Sequence, residues 1–321
     1  MRRQLAISLL IVLLGCGSDN SSTGNEGGTG ALQTYKVLPT DTDSNMADTN
    51  KPHYAFVDTS KKLKGKLVVF FGGTNSAPSQ YQAFPEAAAS LGYHVIDLNY
   101  LNTITTLDCK DADDVNCFTN YHEEIIFGND VSTLVDVNAG NSIVNRLMKL
   151  LQYLHQHHPQ DGWAQFFTDN SLNYQKFVMA GHSQGGGHAA YLAYKFEVDR
   201  LIMFCSPADY SDKYSSPASW CTETFATPSE KFYGLMHRRD DTVPPEDTHA
   251  VWQSMKLLAD ADTVSADGSS YENFRALSTN LDADPTSTSH STHDVPVMDK
   301  AKPASNDYAH LKEVWNYLLG N

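Results

Sequence analysis

Gly181-His182-Ser183-Gln184-Gly185 decides how this chain folds. It lies between an apolar run, Phe177-Val178-Met179-Ala180, and a helix-prone run, residues 186–196. Strand, G-x-S-x-G and helix together give the setting of a nucleophile elbow. The turn is so tight that the serine is forced into a strained backbone conformation. Glycines two positions before and after it let strand and helix approach. The serine hydroxyl then stands clear at the carboxyl edge of a sheet. The next amide, that of Gln184, opens the helix, where developing negative charge is stabilised.

Working outward, strands and helices alternate. Residues 35–38 and 53–57 read as early antiparallel edge strands. Residues 66–71 form a buried strand that stops at Gly72-Gly73. A helix over 80–91 and a strand over 93–98 follow, then a long loop over 99–131. Ile143, Leu147, Leu150, Leu151 and Leu154 have helical spacing within 142–157. After the elbow come strands at 201–205 and 231–236, a helix over 246–258, a last strand near 274–277 and a closing helix over 306–319. This alternation predicts an α/β fold with a mostly parallel central sheet and helices on both faces. Trp163 and Phe166 read as core. The inserts 99–131 and 206–230 are expected to frame a cleft. Tyr210, Tyr214, Trp220 and Phe225 of the second either line it or pack the insert.

The N-terminus has the character of a targeting segment. Arg2 and Arg3 precede an apolar stretch, Leu5 to Leu14, that is too short to span a bilayer. Leu13-Leu14-Gly15-Cys16 resembles a bacterial lipobox. The expected organisation is a signal peptide over 1–15, a flexible Ser/Gly/Asn-rich tether over 16–33 with Cys16 lipidated, and a catalytic domain over 34–321. Each buried CH₂ of such a lipid contributes about 0.8 kcal/mol to anchoring. The expected location is the bacterial cell envelope, with the outer membrane favoured, or outside the cell. Four cysteines remain once Cys16 is set aside, an even number that suits an exported chain. Proximity favours Cys109–Cys117 and Cys205–Cys221, with the other pairings open. The formal charge of −15 becomes −17 when the two arginines leave. Nothing basic is clustered, so a nucleic-acid partner is not expected.

The elbow in this order of elements resembles the α/β-hydrolase superfamily, over roughly Tyr35 to Leu319. The resemblance implies an esterase- or lipase-like serine hydrolase whose triad runs Ser, acid, His along the chain. Phe70-Phe71-Gly72-Gly73-Thr74 looks like the superfamily's oxyanion loop, without the histidine that usually precedes the first glycine. Its N–H comes from Thr74 or from Gly73. The acid falls in Arg239-Asp240-Asp241-Thr242-Val243-Pro244, where the register Asp-x-x-Val-Pro selects Asp240, with Asp241 as rival. The base falls in Ser289-His290-Ser291-Thr292-His293, where His293 is favoured over His290. The implied catalytic set is Ser183, Asp240 and His293, with Gln184 and Thr74 at the oxyanion. No metal and no organic cofactor is expected. The implied partner is a small-molecule or polymeric ester, and the lipid anchor meets the membrane. A serine exopeptidase of the same fold, or a non-catalytic binding protein, is the alternative.

Overall fold

The computed structural model describes residues 32–46, 50–169, 171–258, 262–268 and 270–320. The apolar runs become strands: β1 (Leu32–Val37), β2 (His53–Asp58), β3 (Leu67–Phe71), β4 (His94–Asp97), β5 (Phe177–His182) and β6 (Arg200–Phe204). They continue as β7 (Tyr210–Ser211), β8 (Ser216–Pro217), β9 (Phe232–His237), β10 (Val264–Ser265) and β11 (Ala276–Thr279). The helices are α1 (Pro39–Thr42), α2 (Ala83–Ser90), α3 (Cys117–Phe127) and α4 (Ile143–His157). They are followed by α5 (Gln184–Lys195), α6 (Pro245–Ser254) and α7 (Ser305–Leu318). The expected signal peptide, Cys16 and most of the tether lie outside the described residues. The tether ends earlier than expected, because Leu32 and Gln33 already pair with Asp58 and Val57.

Among the described residues one sheet has nine strands, in the order β1-β2-β4-β3-β5-β6-β9-β11-β10. β2 runs antiparallel to both β1 and β4, and every other neighbouring pair is parallel. The expected mostly parallel α/β sheet is therefore present, although β2 is an interior strand and not an edge. Side chains alternate across it, as the period of a strand requires. Val69, Phe71 and Met179 enter a core shared with Leu147, Leu150, Ala190 and Val251, under α4, α5 and α6. Val68, Phe70 and Ala180 enter a second core with Phe84, Ala88, Leu311 and Trp315, under α2 and α7. Parallel strands share one carboxyl edge, so the loops after β3, β5, β9 and β11 open on the same side.

α4 forms as its sequence demands. Ser142 caps it by accepting from the Asn145 amide at 3.2 Å. Its stripe, Ile143, Leu147, Leu150, Leu151 and Leu154, is buried. Each such side chain contributes about 1.5–3 kcal/mol through burial. Trp163 and Phe166 are core residues, as expected.

Two expectations are corrected here. The stretch 99–131 is not loop throughout, because it contains α3. The disulfide Cys109–Cys117 closes its first turn, with Cα atoms 5.5 Å apart. Cys205 and Cys221, by contrast, are both free and buried. Cys205 follows β6 beside Asp240, whereas Cys221 lies near Asp209. Burial pushes both thiols well above the usual range. Trp220 is buried against Phe225 and against Tyr191 and Tyr194 of α5, so these two aromatics of the second insert are packing residues, whereas Tyr214 is exposed. No helix among the described residues is long and apolar enough to cross a membrane.

Candidate active site

Ser183 sits between β5 and α5 with φ 54° and ψ −127°. This conformation is costly for a residue with a side chain, by about 1–3 kcal/mol. The surrounding glycines explain why it persists. A Cβ on Gly181 would strike the Gly185 backbone, and one on Gly185 would strike the carbonyls of Phe71 and Gly72. The Ser183 amide donates to the Phe204 carbonyl at 3.0 Å, and its own carbonyl accepts from Gly186 and Gly187. The elbow is thus tied to β6 and to the first turn of α5.

Asp240 and His293 meet from opposite directions. Asp240 follows β9, and His293 lies in the long loop after β11. His293 Nδ1 donates to Asp240 Oδ2 at 2.7 Å, with Oδ1 at 3.0 Å. The Asp240 side chain is 2% exposed. Oδ1 also accepts from the amides of Thr242 and Val243, each at 2.9 Å. Burial alone would raise its pKa. The His293 hydrogen bond and charge, with those two amides, outweigh burial and hold it below the usual carboxylate range. His293 Nε2 is buried and has no hydrogen-bond partner among the described residues. It is the one ring nitrogen of His293 that Asp240 does not engage.

Asp241, the rival acid, serves the same loop differently. Its Oδ1 accepts from the Ser291 hydroxyl at 2.7 Å and the His293 amide at 3.2 Å. It holds backbone, while Asp240 holds the ring. His290 is exposed. Cys205, Asp240 and His293 bring one ligand-type atom each within 4.8 Å of one another. The Asp240–His293 hydrogen bond already accounts for two of the three.

The loop after β3 lies against the elbow, with the Gly73 Cα so close that a Cβ there would be 3.1 Å from Ser183 Cβ. Its amides are distributed. Gly73 donates to Tyr81 Oη at 3.0 Å, Asn75 to the Asn102 carbonyl at 2.9 Å and Ser76 to the Gly73 carbonyl at 3.2 Å. The Thr74 amide is left without a protein acceptor among the described residues, whereas the Gly73 amide is occupied. The Thr74 hydroxyl donates to Gln184 Oε1 at 2.7 Å. That contact clamps together the two residues expected to offer amides to an oxyanion.

Ser183, His293 and Thr74 line one cleft of about 350 Å³. Asn75, Gln80, Thr105, Thr242, Ser291 and Lys300 form much of its remaining wall, and Leu107 and Met298 add apolar surface. The first insert therefore reaches the cleft through Thr105 and Leu107. The second insert contributes none of its lining residues. A depression of about 400 Å³ around Asp284, Lys302 and Tyr308 holds none of the candidate groups.

Two constellations escaped the sequence reading. Tyr81 and His182 are buried and hydrogen-bonded to each other at 3.0 Å. His122, on α3, contacts His188 on α5 at 2.9 Å and Asp209 at 2.8 Å, and Trp220 Nε1 donates to the same carboxylate. Adjacency to the elbow serine was the one signal for His182. The other contacts join residues far apart in sequence.

No protein-family model matches the chain, and no curated protein matches it.

Proposed function

We propose that the chain is a serine hydrolase on an α/β-hydrolase scaffold, cleaving carboxylic esters through an acyl-enzyme. One observation carries the reading. His293 is held by Asp240 through Nδ1, its Nε2 has no hydrogen-bond partner among the described residues, and the residue lines the same cleft as Ser183. Ser183 Oγ attacks the ester carbon and gives its proton to His293 Nε2. The carbonyl electron pair moves onto oxygen, where the Thr74 and Gln184 amides stabilise it. Collapse of the tetrahedral intermediate breaks the bond to the alcohol oxygen, which leaves with the proton from His293. Water repeats the sequence and releases the acid. Asp240 fixes the histidine tautomer and stabilises the imidazolium.

The polar walls favour a short acyl group and a hydroxylated or otherwise polar alcohol. A long alkyl chain gains about 0.8 kcal/mol per CH₂ only where apolar surface receives it. Here Leu107 and Met298 supply little such surface. A p-nitrophenyl ester series from acetate to decanoate tests this on purified protein. The expected kcat/KM falls steadily beyond about four carbons, and a rise towards decanoate refutes the short-acyl preference. A fluorophosphonate probe tests the class itself. It should label the protein and fail to label Ser183→Ala. Hydrolysis of aminoacyl anilides in preference to esters would replace the esterase reading with an exopeptidase.

The lipobox-like sequence supports a site of action at a membrane surface, anchored through Cys16. Cys16→Ser should move the full chain from the membrane to the soluble fraction. Unchanged membrane partition of that variant rules the anchor out.

A further inference from the structure

We propose that Tyr81 and His182 are positioning residues that fasten the oxyanion loop, the nucleophile and the general base into one unit. The inference rests on the triad reading above and goes beyond it. His182 Nε2 is 2.9 Å from the His293 carbonyl oxygen, and its Nδ1 is 3.0 Å from Tyr81 Oη. Tyr81 Oη also receives the Gly73 amide at 3.0 Å. Tyr81 is 0% and His182 2% exposed, so water does not supply alternatives.

The polarity of each bond follows from what each atom can do. A carbonyl only accepts, so the His182 proton is on Nε2. Burial, reinforced by the neighbouring His293, pushes the His182 pKa far down and keeps the ring neutral. Nδ1 is then a lone pair, and Tyr81 must donate to it. The Tyr81 oxygen is thereby free to accept from Gly73. The chain runs Gly73 N–H to Tyr81 Oη, Tyr81 O–H to His182 Nδ1, and His182 Nε2–H to the His293 carbonyl.

Every station except Tyr81 adjoins or belongs to a reacting group. Gly73 precedes Thr74, His182 precedes Ser183, and the last acceptor belongs to His293 itself. The bond at Gly73 also removes that amide from competition and leaves Thr74 as the oxyanion donor of the loop. The rings of His182 and His293 have centroids 4.6 Å apart. A neutral ring at that distance does not repel the imidazolium that forms during acylation.

The test measures kcat and KM on p-nitrophenyl acetate, well below the melting temperature, for the wild type, Tyr81→Phe, His182→Gln, His182→Leu and Ser183→Ala. Misplacing reacting groups by about an ångström costs up to about 100-fold. Tyr81→Phe should therefore lose about 10- to 100-fold in kcat with KM within about twofold. His182→Gln, which still carries a donor for the His293 carbonyl, should keep at least about tenfold more kcat than His182→Leu. The His182 pair carries the same test if Tyr81→Phe does not fold. A lowered melting temperature with kcat within twofold of wild type makes the pair merely structural and overturns the inference. Equal activity of His182→Gln and His182→Leu also overturns it. Activity that survives in Ser183→Ala overturns the triad reading beneath it, an outcome visible in the same assay.

Discussion

Asp240 and Asp241 are adjacent carboxylates held below their usual range for different reasons. For Asp240 the outweighing influences are the His293 ring and two amides, and for Asp241 they are the Ser291 hydroxyl and backbone amides. Under the proposed mechanism Asp240→Asn loses about 10⁴-fold in kcat, because its amide favours the wrong histidine tautomer. Asp241→Asn keeps an oxygen for the Ser291 hydroxyl and the His293 amide, so its kcat stays within a few-fold. Steady-state kinetics on both variants checks this, and a reversed order would move the acid by one residue. Ser183→Ala and His293→Ala should each lose about three or more orders of magnitude, and the double variant no more than either single. Ser183, Asp240 and His293 were legible because motif register and chain order constrain them locally. The two candidate donors Gly73 and Thr74 differ through Tyr81, whose hydroxyl occupies the Gly73 amide. His182 was legible as a neighbour of the serine, but its bonds span 101 and 111 positions.

At the scale of elements, α3 is the helix that the sequence reading passed over. Phe118, Tyr121, His122, Ile125 and Ile126 carry its buried stripe. The start is poorly marked, since Asn116 makes no side-chain cap. Acidic residues and a cysteine around it suggest a stapled loop. The disulfide to Cys109 supplies the fixed start that a cap would otherwise give, and Gly128 ends the helix at φ 76°. His122 then ties α3 to α5 through His188, and to the second insert through Asp209. Opening the disulfide with Cys109→Ser/Cys117→Ser should cost about 2–3 kcal/mol by loop entropy, read from urea unfolding. An unchanged midpoint contradicts that account. Cys205 and Cys221 were paired on proximity in sequence, a criterion blind to where a side chain points. Alkylation of the denatured, unreduced protein should modify these two and spare Cys109 and Cys117. A Cys205–Cys221 crosslinked peptide would restore the pairing.

At the scale of the whole molecule, buried titratable groups make stability depend on pH in two opposite directions. Burial holds His53 at about 3 and lowers His94, His182 and His188 as well. The unfolded chain binds protons at these positions below the ordinary value of 6.5, while the folded chain refuses them. Their contribution is present above pH 6.5 and is lost as pH falls towards the folded values. Asp97 acts in the opposite direction. It is fully buried, neither carboxylate oxygen has a partner among the described residues, and burial raises its pKa well above 3.8. Between 3.8 and that raised value the folded chain holds a proton that the unfolded chain has released. Stability therefore declines as pH rises through this window and levels off once the folded carboxyl ionises. Asp97→Asn keeps the shape and removes the titration. The difference in Tm between Asp97→Asn and wild type should grow in favour of the variant from pH 4 to pH 9. Scanning calorimetry across that range measures it. Parallel Tm curves would mean that Asp97 is ionised and satisfied in the folded state, and would remove the Asp97 limb of the argument. The acid limb would remain, because it rests on the histidines and not on the Asp97 carboxyl.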